Sequence, residues 1–161
     1  MKDDLNFKLA VSRLAQSGSI TLPSQGYSMF PFIRPSDECH FIPITCESLR
    51  IGRILLFGES SGRLVGHRLI RIESSPSGAV YICKGDTNLL PDEPVHSERI
   101  VGVLSSISRT PKKGLKRTVP SDALRRVIWG TALIKLPFLS RLLRGWSLLY
   151  RTTFSIKRNL L

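Results

Sequence analysis

The chain reads as mainly β: a compact, barrel-like domain with a short N-terminal helix and a C-terminal amphipathic helical extension. Three observations predict this. Between residues 20 and 107 the apolar residues come in short β-favouring runs, parted by Gly-, Pro- and Ser-rich turns. Apolar residues recur at helical spacing only before and after that stretch. The charge divides at the same place: residues 1–108 hold 11 Lys+Arg against 11 Asp+Glu, and residues 109–161 hold 13 against one, Asp122. The domain is therefore placed at 1–108, and 109–161 is read as a basic linker followed by amphipathic helices.

Phe7, Ala10, Val11 and Leu14 share one helical face, with Asp3 and Asp4 at the start and Gly18 past the end, which predicts a short helix. The strand candidates follow: Ile20 to Leu22, Cys39 to Ile44, Arg53 to Phe57, Leu64 to Ile72, Ala79 to Cys83 and Ile100 to Ile107. Glu59-Ser60-Ser61-Gly62 and Ser74-Ser75-Pro76-Ser77-Gly78 are turn signals between them. Short strands at this spacing suggest a barrel-like β domain. Thr110 to Arg117 reads as a basic linker, and Pro120-Ser121-Asp122 as a helix start. Beyond Pro137, Leu139, Leu142, Leu143, Trp146, Leu149 and Tyr150 fall at helical spacing, with Arg141, Arg144 and Arg151 largely on the other side.

A length of 161 residues suits one domain, and a 42% hydrophobic, 22% charged composition excludes a disordered polar tract. Three cysteines exclude a disulfide-stapled scaffold. The net charge of +12 and pI near 10.4 ask for an anionic partner, nucleic acid or membrane. Basic residues alternating with Leu and Trp favour an anionic membrane surface, contacted through residues 121–158, over nucleic acid. The other reading of the last helix is packing on the protein's own β domain. Lys135, Pro137, Arg141 and Arg144 interrupt Val127–Tyr150, so a bilayer span is not expected. The acidic start, Met1-Lys2-Asp3-Asp4, is unlike a secretory signal.

One local feature carries chemistry. Gly26-Tyr27-Ser28-Met29-Phe30-Pro31 sets a serine in a restricted turn after a strand, as a nucleophile with nearby amide donors requires. A serine needs a base, and the histidines are His40, His67 and His96; His67 lies on a strand-like run. A histidine base needs an orienting carboxylate, for which Asp86 and Asp92 are both candidates. Cys39, His40, Cys46 and Cys83 lack any Cys-x-x-Cys pair, so neither a metal nor another cofactor is expected.

The order Ser28, His67, Asp86/Asp92 resembles the type I signal peptidase family, in its Ser/His branch of the endoplasmic reticulum, archaea and some spore-forming bacteria. The resemblance covers roughly residues 24–104. Ser28-Met29-Phe30-Pro31 resembles the nucleophile box, and Ser36-Asp37 stands where Gly-Asp is usual. Gly52 to Phe57 resembles the apolar strand, and Val65-Gly66-His67-Arg68 the general-base box, which carries lysine in the bacterial branch. Lys84 to Asn88 with Asp92, then Ile100 to Val103, resemble the acid box and closing strand. The related self-cleaving repressor peptidases share the fold but would want a lysine at position 67.

The resemblance implies a serine endopeptidase cutting a leader or signal-like peptide after small residues. Ser28 would be nucleophile, His67 base and Asp92 the orienting acid, with Asp86 shaping or supporting the site. The backbone N–H groups of Ser28 and Met29 would form the oxyanion hole. The sequence departs from the family at Gly26, where a hydroxyl residue is common, at Arg53, where an acid is usual, and in lacking the usual N-terminal anchor. Gly26 keeps a second reading open: a catalytically weak or inactive peptidase fold that binds peptides at the membrane surface. The expected location is peripheral, on the cytoplasmic face of a membrane.

Overall fold

Ile54-Leu55-Leu56-Phe57 is apolar without alternation because both faces of its strand are covered. Ile54 and Leu56 belong to one core cluster, with Ala10, Leu14, Met29, Ile33, Phe41 and Leu104. Leu55 and Phe57 belong to a second, with Leu69, Tyr81, Cys83, Val95 and Val103. Side chains alternate across a strand, so the sheet carries one cluster on each face. Full burial of side chains this size stabilises by about 1.5–3 kcal/mol each.

The computed structural model describes residues 2–45, 47–76, 78–109, 117–120, 132, 136 and 138–159. After helix α1 (Lys2–Ser17) come β1 (Ile20–Pro23), β2 (Glu38–Ile42), β3 (Ile54–Gly58), β4 (Leu64–Ser75), β5 (Gly78–Lys84), β6 (Val95–His96), β7 (Ile100–Arg109) and β8 (Arg117–Pro120). Helix α2 spans Phe138–Asn159. The strands form one antiparallel sheet ordered β1-β2-β7-β3-β4-β5-β6, with β8 on β7.

The expectation of a barrel-like domain is corrected: the sheet is open. Among the described residues its end strands, β1 and β6, pair only with β2 and β5. Local periodicity marks a strand but not its neighbours, and closure depends on the two end strands meeting. Two strands also escaped the sequence reading. β6 has two residues, too few for any period, and β8 opens with Arg117, read as the end of the linker. The rest of that linker and the helix start at Ser121-Asp122 lie outside the described residues.

Helix α1 buries Ala10 and Leu14 with Phe7 against the first cluster, and Gly18 N–H closes it on Leu14 O at 3.0 Å. Asp37, at the entry to β2, accepts from both Arg34 N–H and the Arg109 guanidinium at the end of β7. Hydrogen bonding to Asp37 holds the Arg109 charge and raises its pKa. This tie fixes the loop 24–37, which carries the Ser28 turn, to the sheet. Among the described residues no helix is long and apolar enough to cross a membrane.

Helix α2 packs on the β domain along a narrow face. Ser140, Leu143 and Ser147 are buried. Trp146 meets the Phe30 ring edge-on at 5.5 Å, and Tyr150 lies 5.0 Å from Phe30 and 6.4 Å from Tyr27. The helix thus stands on the turn around Ser28.

Candidate active site

The turn bearing Ser28 is defined by its backbone. Gly26 has φ +92°, a left-handed conformation that disfavours side chains, although a Cβ there would meet no atom. This accounts for glycine at a position where a hydroxyl residue was the comparison. Phe30 N–H donates to Tyr27 O at 3.0 Å and Ile33 N–H to Met29 O at 2.9 Å. The Phe30–Pro31 peptide is cis. Met29 and Phe30 are buried and Ser28 is half-exposed, so the turn is anchored while its hydroxyl stays accessible. Among the described residues the Ser28 and Met29 amides have no acceptor. They are the N–H pair the sequence nominated for an oxyanion.

His67 is buried on β4, opposite Leu55 of β3, with the Phe57 ring edge-on at 6.4 Å. Its Nε2 lies 2.9 Å from Ser28 Oγ, and its Nδ1 lies 2.7 Å from Asp92 Oδ2. An ionised carboxylate only accepts, so Nδ1 carries the proton and Nε2 is left to accept from the serine hydroxyl. Asp92 is itself fixed by its backbone N–H, which donates to Cys83 O at 2.9 Å. Residues 28, 67 and 92, far apart in the chain, meet as one hydrogen-bonded triad.

Asp86 does not reach His67. It is buried and takes two hydrogen bonds from Arg68, Nε to Oδ1 and Nη2 to Oδ2, both 2.8 Å. Arg68 also donates to Gly52 O at 2.8 Å and stacks on the Phe32 ring at 5.3 Å. Of the two acids offered for orienting His67, Asp86 is thus the one held elsewhere, in the supporting position the resemblance implies: its lone pairs are engaged by a guanidinium on the opposite face of β4.

Arg68, Gly85 and Thr87 fall inside the boxes read from the sequence, but no role was given to them there. Thr87 N–H donates to Ser28 O at 2.9 Å, and its hydroxyl reaches Tyr27 O at 3.2 Å and Ser28 O at 3.3 Å. A Cβ on Gly85 would lie 3.0 Å from Ser28 Cβ and 2.8 Å from Asn88 Nδ2. Glycine lets the 85–88 turn press on the turn bearing Ser28. One signal did exist for Arg68: a charge inside an apolar strand run needs a buried acid.

A cleft of about 980 Å³ leads away from Ser28 and His67, between β1 with its continuation to Gly26 and the Leu64–Gly66 part of β4. Met29, Ile33, Phe41 and Leu56 form part of its wall, and Asn6, Leu9 and Arg13 of α1 border it.

The other titratable candidates lie elsewhere. His40 bridges Thr21 Oγ1 at 2.7 Å and Ser108 Oγ at 2.9 Å, and His96 is on β6. Cys39 and Cys83 are buried free thiols in different core clusters, each pushed up to about 12, mainly by burial. Cys46 lies outside the described residues. Arg53 packs its Nε in the interior with no acceptor among the described residues; nothing in the structure explains an arginine there.

Fold and site together define an open β-sheet protein with a Ser–His–Asp hydrogen-bonded triad whose serine and histidine line a cleft. No family model, no curated protein and no solved structure matches the chain.

Proposed function

We propose that the protein is a serine endopeptidase of signal-peptidase type. The observation that carries this is the continuous chain Ser28 Oγ–His67 Nε2–His67 Nδ1–Asp92, with bonds of 2.9 and 2.7 Å. Such geometry suits general-base activation of a hydroxyl, worth about 10²–10⁴ in rate. Ser28 attacks the scissile carbonyl as its proton passes to His67 Nε2. Asp92 stabilises the imidazolium through Nδ1–H. The oxyanion accepts from the Ser28 and Met29 amides. Collapse expels the amine, which takes the proton from His67, and water then hydrolyses the acyl ester by the same relay.

Two further observations support the reading. Ser36 has φ +70°, the left-handed region that favours glycine, and the resemblance places a glycine at this position. The cleft borders β1, whose only paired neighbour among the described residues is β2. A substrate strand laid along β1 would bring its carbonyls past Ser28 by β-augmentation. Small residues before the cut, in a leader or signal-like segment, are what the family resemblance adds.

A fluorophosphonate probe and a peptide with a small-residue cleavage site test this. Wild type should be labelled and should cleave, and Ser28→Ala should do neither while melting at the wild-type temperature. Equal behaviour of the two proteins sinks the proposal. Absent turnover with intact peptide binding in wild type supports the peptide-binding module, which the missing hydroxyl at Gly26 favours.

A further inference from the structure

Helix α2 has more apolar surface than the β domain covers. Leu143 is 5% exposed, but Phe138 is 55%, Leu142 64%, Trp146 54% and Leu149 67% exposed. Phe138, Leu142, Trp146 and Leu149 are spaced by three or four residues, so they line one stripe. Arg141, Arg144 and Arg151 are also exposed. The helix contains no Asp or Glu. Its free surface is an apolar ridge beside cations.

The same helix holds the catalytic turn. Trp146 belongs to the exposed stripe yet also meets Phe30, two residues from Ser28. Tyr150 contacts both Tyr27 and Phe30, Arg151 stacks on the Tyr27 ring at 4.4 Å, and Ser140 Oγ accepts from Lys84 Nζ at 3.2 Å. Thr87, which holds the Ser28 carbonyl, is followed by Leu89 and Leu90, 47% and 77% exposed. Apolar surface therefore flanks the nucleophile turn from two elements.

We propose that this stripe docks on an anionic bilayer and sets the Ser28 cleft at the membrane surface. Charge chooses the occupant. The chain carries +12, and 13 of its 24 Lys and Arg fall within 109–161. An anionic headgroup layer complements cations at the margin of an apolar ridge, while Leu and Trp suit the acyl boundary. A second copy docked through the same ridge would bring one set of arginines against another. The lipid surface rests on α2 alone. The consequence, that substrate is taken from a membrane-borne or membrane-adjacent peptide, rests on the peptidase reading.

The experiment is flotation of the full chain with phosphatidylcholine vesicles, with and without phosphatidylglycerol. Wild type and Ser28→Ala should both float with anionic vesicles, less so at high salt, and partition far less onto neutral ones. Leu142→Glu/Leu149→Glu changes side chains that face solvent, so its melting should match wild type. Its partitioning should fall at least about tenfold. Arg141→Gln/Arg144→Gln should weaken the preference for anionic vesicles.

Wild type remaining unbound overturns the proposal, as does a Leu142→Glu/Leu149→Glu protein that floats normally. A wild-type dimer without lipid that this variant converts to monomer, with flotation unchanged, assigns the stripe to self-association instead. Because Ser28→Ala is read for binding alone, loss of the peptidase reading leaves the lipid result standing, and the reverse also holds.

Discussion

Arg68 and Asp86 form a buried two-bond pair, both bonds 2.8 Å, one residue along β4 from the triad histidine. Adjacent strand residues face opposite ways, so His67 and Arg68 each select one of the two nearby acids. Each carboxylate can therefore be tested for a different loss.

Asp86→Asn leaves the Arg68 charge buried without its counter-ion. Breaking such a pair costs about 3–5 kcal/mol, so the urea midpoint should drop sharply. The double replacement Arg68→Met/Asp86→Leu should lose much less, because it removes both charges. A wild-type midpoint for Asp86→Asn would show that the pair contributes nothing.

Asp92→Asn should reverse that profile. On the peptidase reading the amide no longer holds Nδ1–H and turnover should fall by roughly 10⁴, with a smaller change in denaturation midpoint than for Asp86→Asn, since the Asp92 side chain is less deeply buried than that of Asp86 and strands no guanidinium. Peptide kinetics beside a urea titration separate the two acids. Comparable loss of turnover in Asp86→Asn, with stability retained, would return Asp86 to the catalytic set.

Gly85→Ala probes the fit between two turns. Its Cβ would press on Ser28 Cβ and the Asn88 side chain, moving the hydroxyl from His67 or loosening the Thr87 clamp. A displacement of about 1 Å can cost roughly 10² in rate. On the peptidase reading the expected outcome is a fall in kcat with a soluble, folded protein. Unchanged kcat would show that the turns separate freely.

The buried thiols give a pH prediction. Burial raises Cys39 and Cys83 from 9.0 to about 12, so neither should react with a disulfide reagent near neutral pH until the protein unfolds. The native state keeps these protons where the unfolded chain releases them. Their contribution to stability is complete below about pH 9 and is lost as pH rises towards 12. Urea midpoints should decline over that window, and Cys83→Ala should flatten the decline.

The local pattern around the serine and histidine of the triad was legible. Turn residues bracket Ser28, His67 sits in a strand-like run, and β1, β2, β3, β4, β5 and β7 follow apolar runs that a reader can mark. Helix α2 was also visible past Pro137, although periodicity named Leu142 and Leu143 alike. Only packing shows that Leu143 is covered while Leu142 faces solvent.

The amino-acid sequence by itself determined the strand-forming segments, the terminal helices, the basic end and the order serine, histidine, acid. Tertiary structure alone decided that the sheet stays open, that β6 and β8 join it, and that Asp86 is claimed by Arg68 while Asp92, the acid the resemblance implied, meets His67. The physical reason is that propensity and periodicity act over a few neighbouring residues. Strand partners and charge pairs are instead chosen between segments far apart in the chain, by the face each side chain takes and by the burial that removes its alternatives.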